Sequence, residues 1–330
     1  MKEIFEKFNS LNVMIIGDVM MDSYIWGNAD RISPEAPVPI VRVTKKENRL
    51  GGAANVALNV QSLGATPFIC AVIGDDPEGN EFISLLNTQN LSIEGILKIN
   101  GRPTTVKTRI IAHNQQIVRV DAETEASISK ESNQSILKKI NTLIDSKHIN
   151  VIIFEDYDKG LISKDLIDSV VELAKNKNII TVVDPKKRNF LDYHHVNLFK
   201  PNLKELREGL KTDIDPAKAD EVTNAVNQLK TLLGVDTVML TLSEHGVFIS
   251  AKEGMKHFSA HKRDIADVSG AGDTVIATTA VCLAAGLDVF ETAAIANLAG
   301  GLVCEHVGVV PIDKARLLTE SEICKLNSHK

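Results

Sequence analysis

The sequence predicts an α/β fold in which a buried, mainly parallel sheet is combined with a second, smaller sheet. Three observations predict it. Short apolar runs rich in β-branched residues alternate with helix-like stretches, several of these runs end in Asp, Asn or Ser, and two further segments show period-two patterning with no helix between their strands. The alternation is typical of parallel strands that are joined by crossover helices and buried on both faces.

Five apolar runs predict the strands of the parallel sheet. They occupy residues 13–18, 151–156, 179–185, 197–202 and 237–243. Because ligands of open parallel sheets bind outside the carboxyl ends of the strands, the polar residues at these ends predict one shared site. Simple turn formation is the alternative explanation at any single position.

The two period-two segments, 37–49 and 103–121, predict a small antiparallel sheet. Their strands are rich in Lys, Arg, Gln and Asn, which suits a lid over a polar ligand. No linker or repeat divides the chain, so we expect one domain over residues 1–330 with lid strands inside those two segments.

Composition excludes several classes of protein. The chain has 330 residues, 44% of them hydrophobic and 24% charged, which is typical of a globular protein and not of a disordered or fibrous one. The net charge of -6 and the absence of a dense basic tract argue against a nucleic-acid or membrane-surface partner. Four widely spaced cysteines predict neither zinc nor disulfides and favour the cytoplasm. The longest apolar run, 275–287, is shorter than the ~20 residues that span a bilayer and predicts a buried helix.

A glycine-containing loop near the C-terminus leads directly into that helix. Backbone N–H groups of Gly270, Ala271 and Gly272 are expected at the positive end of the helix dipole, where they form an anion hole. Asp273 follows in the first turn and is positioned to act as a general base beside a transferring phosphoryl group. Its alternative role is to cap the helix. The loop lacks the GK[ST] of a Walker motif.

A second glycine pair and two early carboxylates complete the candidate site. Gly51 and Gly52 open a helix of small residues with Asn55 in its first turn, which permits close approach of a ligand; tight packing of helix on sheet is the alternative. Asp18 and Asp22 lie just past the first strand. Paired carboxylates there suit a metal or the hydroxyls of a sugar, and we favour the hydroxyls.

Together, the motifs GGAANVALN and DVSGAGDT resemble the two signatures of the ribokinase (PfkB) family of carbohydrate kinases, and the resemblance covers about residues 8–311. It implies a ribokinase-like three-layer α/β/α sandwich with a small β-sheet lid, and ATP and Mg²⁺ as cofactors. The segments RISPEAPVPIV and EDYDKG resemble the branch of the family that phosphorylates D-glycero-β-D-manno-heptose 7-phosphate at C1, a step toward the ADP-heptose of lipopolysaccharide core. A family kinase for another sugar, sugar phosphate or nucleoside is the alternative.

Some members of that branch carry an additional nucleotidyltransferase domain, which we do not expect here because little sequence follows the kinase-like region. Another departure is Asp158, which stands where the branch often has glycine. The resemblance implies a role for each matching residue: Asp273 as base beside Gly270, Ala271 and Gly272; Asp18, Asp22, Gly51, Gly52, Asn55 and Lys159 at the sugar; Asn202, Thr241, Ser243 and Gly246 at the nucleotide; Glu205 near Mg²⁺ through water; and Asp267, near Gly308, at a monovalent cation such as K⁺.

The phosphate of a sugar-phosphate substrate requires a cationic partner, because an unpaired dianion in a covered pocket is strongly disfavoured. Candidates are Lys107, Arg109 and Arg119 on the lid, or the run Lys186, Lys187 and Arg188 after a strand. We favour Lys107 and Arg109.

The lid also predicts a homodimer. Its strands carry apolar residues on the face away from a polar ligand, and an isologous contact between two lids would cover them. The alternative is packing on the parent domain. The residues concerned are Val38, Ile40, Val41, Val43, Val106, Ile110, Ile117, Val118 and Val120.

Overall fold

The computed structural model of the protein describes residues 1–113 and 115–328. Position 114, inside the predicted lid segment 103–121, and positions 329 and 330 of the predicted domain lie outside the described residues. The strands are β1 Asn12–Gly17, β2 Val19–Ile32, β3 Pro39–Gly52, β4 Thr66–Gly74, β5 Ile96–Ile99, β6 Val106–Ala112, β7 Gln115–Ala122, β8 Val151–Glu155, β9 Ile180–Asp184, β10 Leu198–Phe199, β11 Thr237–Thr241, β12 Val247–Ala251 and β13 Gly254–Phe258. The helices are α1 Lys2–Lys7, α2 Ala53–Ser62, α3 Pro77–Thr88, α4 Lys130–Lys147, α5 Lys164–Lys177, α6 Leu203–Leu210, α7 Ala219–Leu233, α8 Ala271–Ala284, α9 Val289–Val303 and α10 Lys314–Ser328.

Nine strands form the central sheet in the order β13-β12-β11-β10-β9-β8-β1-β4-β5. The strands from β11 to β5 run parallel, as the sequence predicts, whereas β12 and β13 add an antiparallel edge. The run 197–202 contributes only the two residues of β10. The carboxyl ends of the parallel strands therefore meet at one edge of the sheet, where the polar strand-end residues gather.

Alternate residues of the central strands enter two separate hydrophobic cores, one on each face of the sheet. In β1, Val13 and Ile15 pack with helices α2, α8 and α9, while Met14 and Ile16 pack with α4, α5 and α7. All four side chains have no exposed surface. Full burial stabilises the fold by about 1.5–3 kcal/mol for a side chain of this size. The result is a three-layer α/β/α arrangement.

The lid is a separate four-stranded sheet in the order β3-β2-β6-β7. The prediction of a purely antiparallel lid is wrong, because β2 and β6 pair in parallel. The chain leaves β3 for α2 and β4 of the main body before it returns, and such a long crossover permits the parallel direction. The strand β2 was not predicted as part of the lid. Asp22, which was expected just past β1, lies within β2.

The two faces of the lid differ in chemistry. Alternation along the strands and the cross-strand register place Asp22, Tyr24, Lys107 and Arg109 on one face. The other face carries Ile25, Ile110, Val118 and Val120. Val118 and Val120 are 46% and 53% exposed, so the main body does not cover them.

Helices α2 and α8 approach each other at their N-termini. Gly51 and Gly52, which were expected to open a helix, instead end β3, and α2 begins at Ala53. Gly52 and Gly270 precede the two helices with φ of 60° and 79°, a backbone conformation that favours glycine. The side chain of Asn59 joins the two helices, since its amide donates to the carbonyl of Asn55 and its oxygen accepts from the Thr274 hydroxyl at 3.0 Å. The predicted buried helix is α8. Within residues 1–113 and 115–328, no helix is long and apolar enough to cross a membrane.

Candidate active site

Asp273 lies in the first turn of α8, where its carboxylate is shared between two side-chain donors. Asn55 Nδ2 donates to Oδ2 at 2.6 Å, and the hydroxyl of Tyr157 donates to Oδ1 at 2.9 Å. Burial raises the pKa of Asp273 to about 6, against the lowering effect of the two hydrogen bonds. The cap position of the helix is Gly270, and no side chain caps it. The carboxylate is therefore directed into the site and does not cap its own helix.

The predicted anion hole lies directly before Asp273. Gly270, Ala271, Gly272 and Asp273 all line one cleft of about 790 Å³. The N–H of Ala271 also has an acceptor within the protein, the carbonyl of Val268 at 3.3 Å. A side chain at Gly270 would lie in a left-handed conformation and within 3.1 Å of Asn55, so glycine is needed there.

The predicted nucleotide-binding residues line the same cleft. Asn202, Thr241, Ser243 and Gly246 come from three different strand ends and face the loop before α8. A β-carbon at Gly246 would lie 2.0 Å from the carbonyl oxygen of Phe258, which explains the glycine. The lining of the cleft also includes charged and apolar side chains, among them Lys186, Val247 and Ile265.

Glu205 and Lys186 form an ion pair of 2.6 Å on one wall of the cleft. The second oxygen of Glu205 accepts from the N–H of Asn202 in a capping box at the start of α6. The neighbours of Lys186 lie elsewhere: Lys187 is largely exposed, and Arg188 donates to the carbonyl of Glu125. The basic run 186–188 is therefore divided between the cleft and the surface.

A charged layer that the sequence analysis did not identify lies beneath Asp273. Asp184, at the end of β9, pairs with Lys200 at 2.7 Å, and both are almost fully buried. Glu155, at the end of β8, is also buried, and burial together with the charges of Asp184 and Asp273 raises its pKa well above the ordinary value. The end positions of these strands were the only sequence signal for this layer.

Asp18 organises the loop that follows β8. Its carboxylate accepts the backbone N–H groups of Tyr157 and Lys159 at 3.0 Å each and that of Leu161 at 3.4 Å. Burial raises its pKa, and these three donors oppose the rise. Asp158 in this loop has a φ of 56°, a left-handed conformation that explains why glycine suits the position.

Asp22, on lid strand β2, contacts the end of the neighbouring strand β3 just before α2 begins. A β-carbon at Gly51 would lie 2.5 Å from Asp22 Oδ2, so the two residues are in close contact. The other oxygen of Asp22 pairs with Arg109 Nη1 at 2.5 Å. Asp22, Gly51 and Arg109 are not among the residues that line the cleft of about 790 Å³. The connection to Asp273 runs through Asn55, which lies three residues after the end of β3 and donates to the Asp273 carboxylate.

The other cations predicted at the sugar also have acidic neighbours. Lys107 contacts Asp121 at 3.1 Å and Glu123 at 2.8 Å, and Lys159 contacts Glu123 at 2.8 Å. Arg119, on β7, is half-exposed and pairs with Asp121. The structure thus gathers Lys107 and Lys159 around one carboxylate, Glu123, at the base of the lid.

Two lid residues that the sequence analysis assigned no role lie beside Arg109. Tyr24 on β2 lies between Arg49 on β3 and Arg109 on β6. The guanidinium carbons of the two arginines are 5.0 Å and 5.3 Å from the centre of the Tyr24 ring. The position of Arg49 two residues before the glycine pair was the available signal.

Asp267 and Gly308 are brought together as the resemblance implies. The carboxylate of Asp267 accepts the N–H groups of Ser269 at 2.9 Å and Gly308 at 3.0 Å. These two bonds lower the pKa of Asp267, against the effect of its partial burial. The contact fastens the loop before α8 to the loop after α9.

Comparisons with known proteins agree with this architecture. The pfkB family carbohydrate kinase profile matches residues 10–315. The chain is 38% identical over 95% of its length to the bifunctional protein HldE of Magnetococcus marinus, and 37% identical over 95% to that of Helicobacter hepaticus. It spans only 65% and 63% of the length of these relatives.

Solved structures show the same fold at low identity. Phosphofructokinase-2 of Escherichia coli, in complex with potassium, has a TM-score of 0.78 at 16% identity, with coverage of 96% of this chain and 99% of that one. Ribokinase of Arabidopsis thaliana, complexed with ribose and ATP, has a TM-score of 0.72 at 17% identity, with coverage of 94% and 99%. The three layers and the lid are those of the ribokinase-like fold.

Proposed function

The chain belongs to the pfkB family of carbohydrate kinases, and on that basis we propose that it transfers the γ-phosphoryl group of ATP to the C1 hydroxyl of D-glycero-β-D-manno-heptose 7-phosphate. The product is the 1,7-bisphosphate, a precursor of ADP-heptose for lipopolysaccharide core. The observation that carries the proposal is Asp273, a buried carboxylate that lines a cleft of about 790 Å³ and binds Asn55, three residues after the end of lid strand β3. Similarity to HldE over the kinase-like region supports the choice of sugar.

In the reaction, Asp273 accepts the proton of the C1 hydroxyl of the sugar. The hydroxyl oxygen attacks the γ-phosphorus, and the bond from that phosphorus to ADP breaks. The N–H groups at Gly270 and Gly272 stabilise negative charge on the transferring group. Phosphoryl transfer depends mainly on positioning and electrostatics, so no covalent intermediate on the protein is required. Asn55 orients the carboxylate from the side of the sugar.

Magnesium would arrive with ATP and neutralise charge on its phosphates. Glu205 is the carboxylate of the cleft wall, and both of its oxygens already have partners, which fits contact with the ion through water. Within the described part of the chain, no group of three or more His, Cys, Asp or Glu side chains is arranged to hold a metal. Asp267, beside Gly308, is proposed to lie near a K⁺ ion.

The lid would hold the substrate's 7-phosphate. Arg109 projects from the polar face of the lid toward Asp22 and Tyr24, and Lys107 and Lys159 lie at its base. A phosphate placed among them would form charge-assisted hydrogen bonds with guanidinium and ammonium groups. The hydroxyls of the sugar would then face Asp18, Asn55 and the backbone at Gly51 and Gly52.

We also propose that two lids associate in a homodimer, because Val118 and Val120 leave an apolar strip open to solvent on the face away from the site. Cys70, Cys282 and Cys304 are buried and take part in no disulfide, which together with the proposed use of ATP supports a cytoplasmic location.

A panel of sugars and sugar phosphates, assayed with ATP and Mg²⁺ by release of ADP, tests the proposed substrate. Heptose 7-phosphate is expected to give the highest kcat/KM. Unphosphorylated heptose should be a poor substrate, because it leaves the basic residues of the lid without an anion. Faster turnover of fructose 6-phosphate, ribose or a nucleoside would replace the heptose assignment with another kinase of the family.

A further inference from the structure

Tyr157, which lines the cleft, connects the two carboxylates of Asp18 and Asp273. Its backbone N–H donates to Asp18 at 3.0 Å, and its hydroxyl donates to Asp273 at 2.9 Å. We propose that Tyr157 is a positioning residue of the phosphoryl transfer: its hydroxyl fixes the rotamer of the Asp273 carboxylate and stabilises the ionised form that accepts the substrate proton. This inference rests on the proposed function of Asp273 as general base.

The tyrosine is held rigidly enough for this task. Its side chain is half-buried, and the ammonium group of Lys186 lies 5.4 Å from the ring centre. The loop around it is fixed at several points, since Asp18 binds three of its N–H groups and Asp156 accepts the N–H of Asp158 at 2.9 Å. A donor held in this way loses little entropy when it forms its hydrogen bond.

The phenol has the protonation state that the task requires. Burial and the nearby negative charges of Asp273, Glu155 and Asp184 raise the pKa of Tyr157 well above its ordinary value. The hydroxyl therefore remains a neutral donor at physiological pH. A neutral donor stabilises the carboxylate anion but cannot neutralise it by giving up its proton.

Tyr157 works against an environment that otherwise opposes ionisation of Asp273. Burial and the charge of Asp184 favour the protonated acid, as does the nearby Glu155 when it is ionised, whereas Lys200 favours the anion. Asn55, from α2, is the second donor. Loss of either donor should therefore raise the pKa of Asp273 and reduce the fraction of enzyme with a competent base at neutral pH.

The test measures the ionisation of Asp273 directly in wild type and in Tyr157→Phe, which removes only the hydroxyl. The carboxyl ¹³C resonance of Asp273, assigned by its disappearance in Asp273→Asn, is titrated in the full-length protein without any substrate. A hydrogen bond to an ionised group changes the equilibrium about tenfold, so the midpoint is expected to rise by about one pH unit in Tyr157→Phe. An unchanged midpoint would overturn the proposal.

Tyr193→Phe is the matched control. Tyr193 is buried and also donates to a carboxylate, but its hydroxyl binds Asp156 at 2.8 Å and not the base. The Asp273 midpoint is expected to stay in place in this variant. An equal shift in both variants would show a general effect of losing a buried hydroxyl and would also overturn the proposal.

Kinetics and a second substitution complete the test. With an accepted substrate, the acid limb of kcat/KM should move up with the titration midpoint in Tyr157→Phe, while the KM for ATP changes little. If Tyr157→Phe does not fold, 3-fluorotyrosine at position 157, a more acidic donor, should shift the midpoint down, and no shift would count against the role. If wild type phosphorylates no sugar, the proposed function fails, yet the titration still decides whether Tyr157 controls Asp273.

Discussion

Asn55 and Asp273 are 218 positions apart in the chain and share a hydrogen bond of 2.6 Å between the first turns of α2 and α8. The contact joins the starts of two helices, since Gly51 and Gly52 end β3 directly before α2 and Gly270 precedes α8. Asn59, one turn further along α2, fixes the pair by accepting from Thr274. The packing of the two helices therefore sets the position of Asn55 relative to the Asp273 carboxylate.

Replacing Asp273 with Asn should abolish most of the activity while the fold and ATP binding are retained. The substitution is nearly isosteric, but it removes the proton acceptor, and loss of a general base costs on the order of 10²–10⁴ in rate. The rate is measured by ADP release, with circular dichroism and nucleotide titration as checks. Asp264→Asn, at an exposed position in the loop before α8, is the control. Turnover within a factor of three of wild type would leave Asp273 with only a structural role.

Activity should depend on pH through the ionisation of the same carboxyl group. Burial raises the pKa of Asp273 to about 6, and the base must be ionised to accept a proton. The value of kcat/KM should therefore be constant above this pKa and fall about tenfold for each pH unit below it. A profile that stays flat down to pH 5 would contradict the assignment. Burial also raises the pKa of Asp156 to about 6. The variant Asp156→Asn therefore tests whether the loss of activity at low pH is due to Asp156.

Local patterns predicted the parts of the site that depend on one segment. The apolar runs gave the strands β1, β8, β9 and β11, and the glycine loop gave the start of α8. The hydrogen-bond partners of Asp273 could not be predicted in this way. Tyr157 reaches Asp273 from a loop 116 positions away, and no periodicity encodes that contact. The strand-end positions of Asp184 and Lys200 were visible in the sequence, but their pairing was missed for the same reason.

The lid shows a second limit of sequence reasoning. Its two period-two segments were recognisable, but the strand β2 follows β1 after a single residue, and Asp22 was therefore placed just past the first strand and not in the lid. Strand direction was also unpredictable, since the parallel pairing of β2 with β6 depends on where the main body returns the chain. Patterning defines which face is polar, whereas pairing order depends on tertiary structure.

Replacing Arg109 with Ala should weaken binding of a sugar phosphate far more than binding of ATP. A charge-assisted contact contributes about 1.5–3 kcal/mol, which corresponds to roughly a 10- to 150-fold rise in the KM for the sugar. The KM for ATP should change less than twofold, because Arg109 lies on the lid and not in the nucleotide cleft. Lys107→Ala should act in the same direction.

Arg119→Ala is the control for that experiment. Arg119 is the cross-strand neighbour of Arg109, and its replacement by Ala removes the same single positive charge. Unlike Arg109, however, it is half-exposed and binds Asp121. Its loss should alter neither KM by more than a few fold. Equal losses for sugar and ATP in Arg109→Ala would contradict a phosphate-binding role for the lid.

The apolar face of the lid should hold two chains together in solution. Val118 and Val120 lie on β7, the edge strand, and remain 46% and 53% exposed in the single chain. An isologous contact between two such faces removes both strips from water with one surface. Light scattering at micromolar concentration should give twice the 36.0 kDa of one chain. The double variant Val118→Asp with Val120→Asp should reduce the mass to that of one chain, because each partner would otherwise bury unpaired charge.

The control is Leu232→Asp, at a residue 47% exposed on α7, which should leave the mass unchanged. A wild-type mass near 36 kDa would exclude association through the lid.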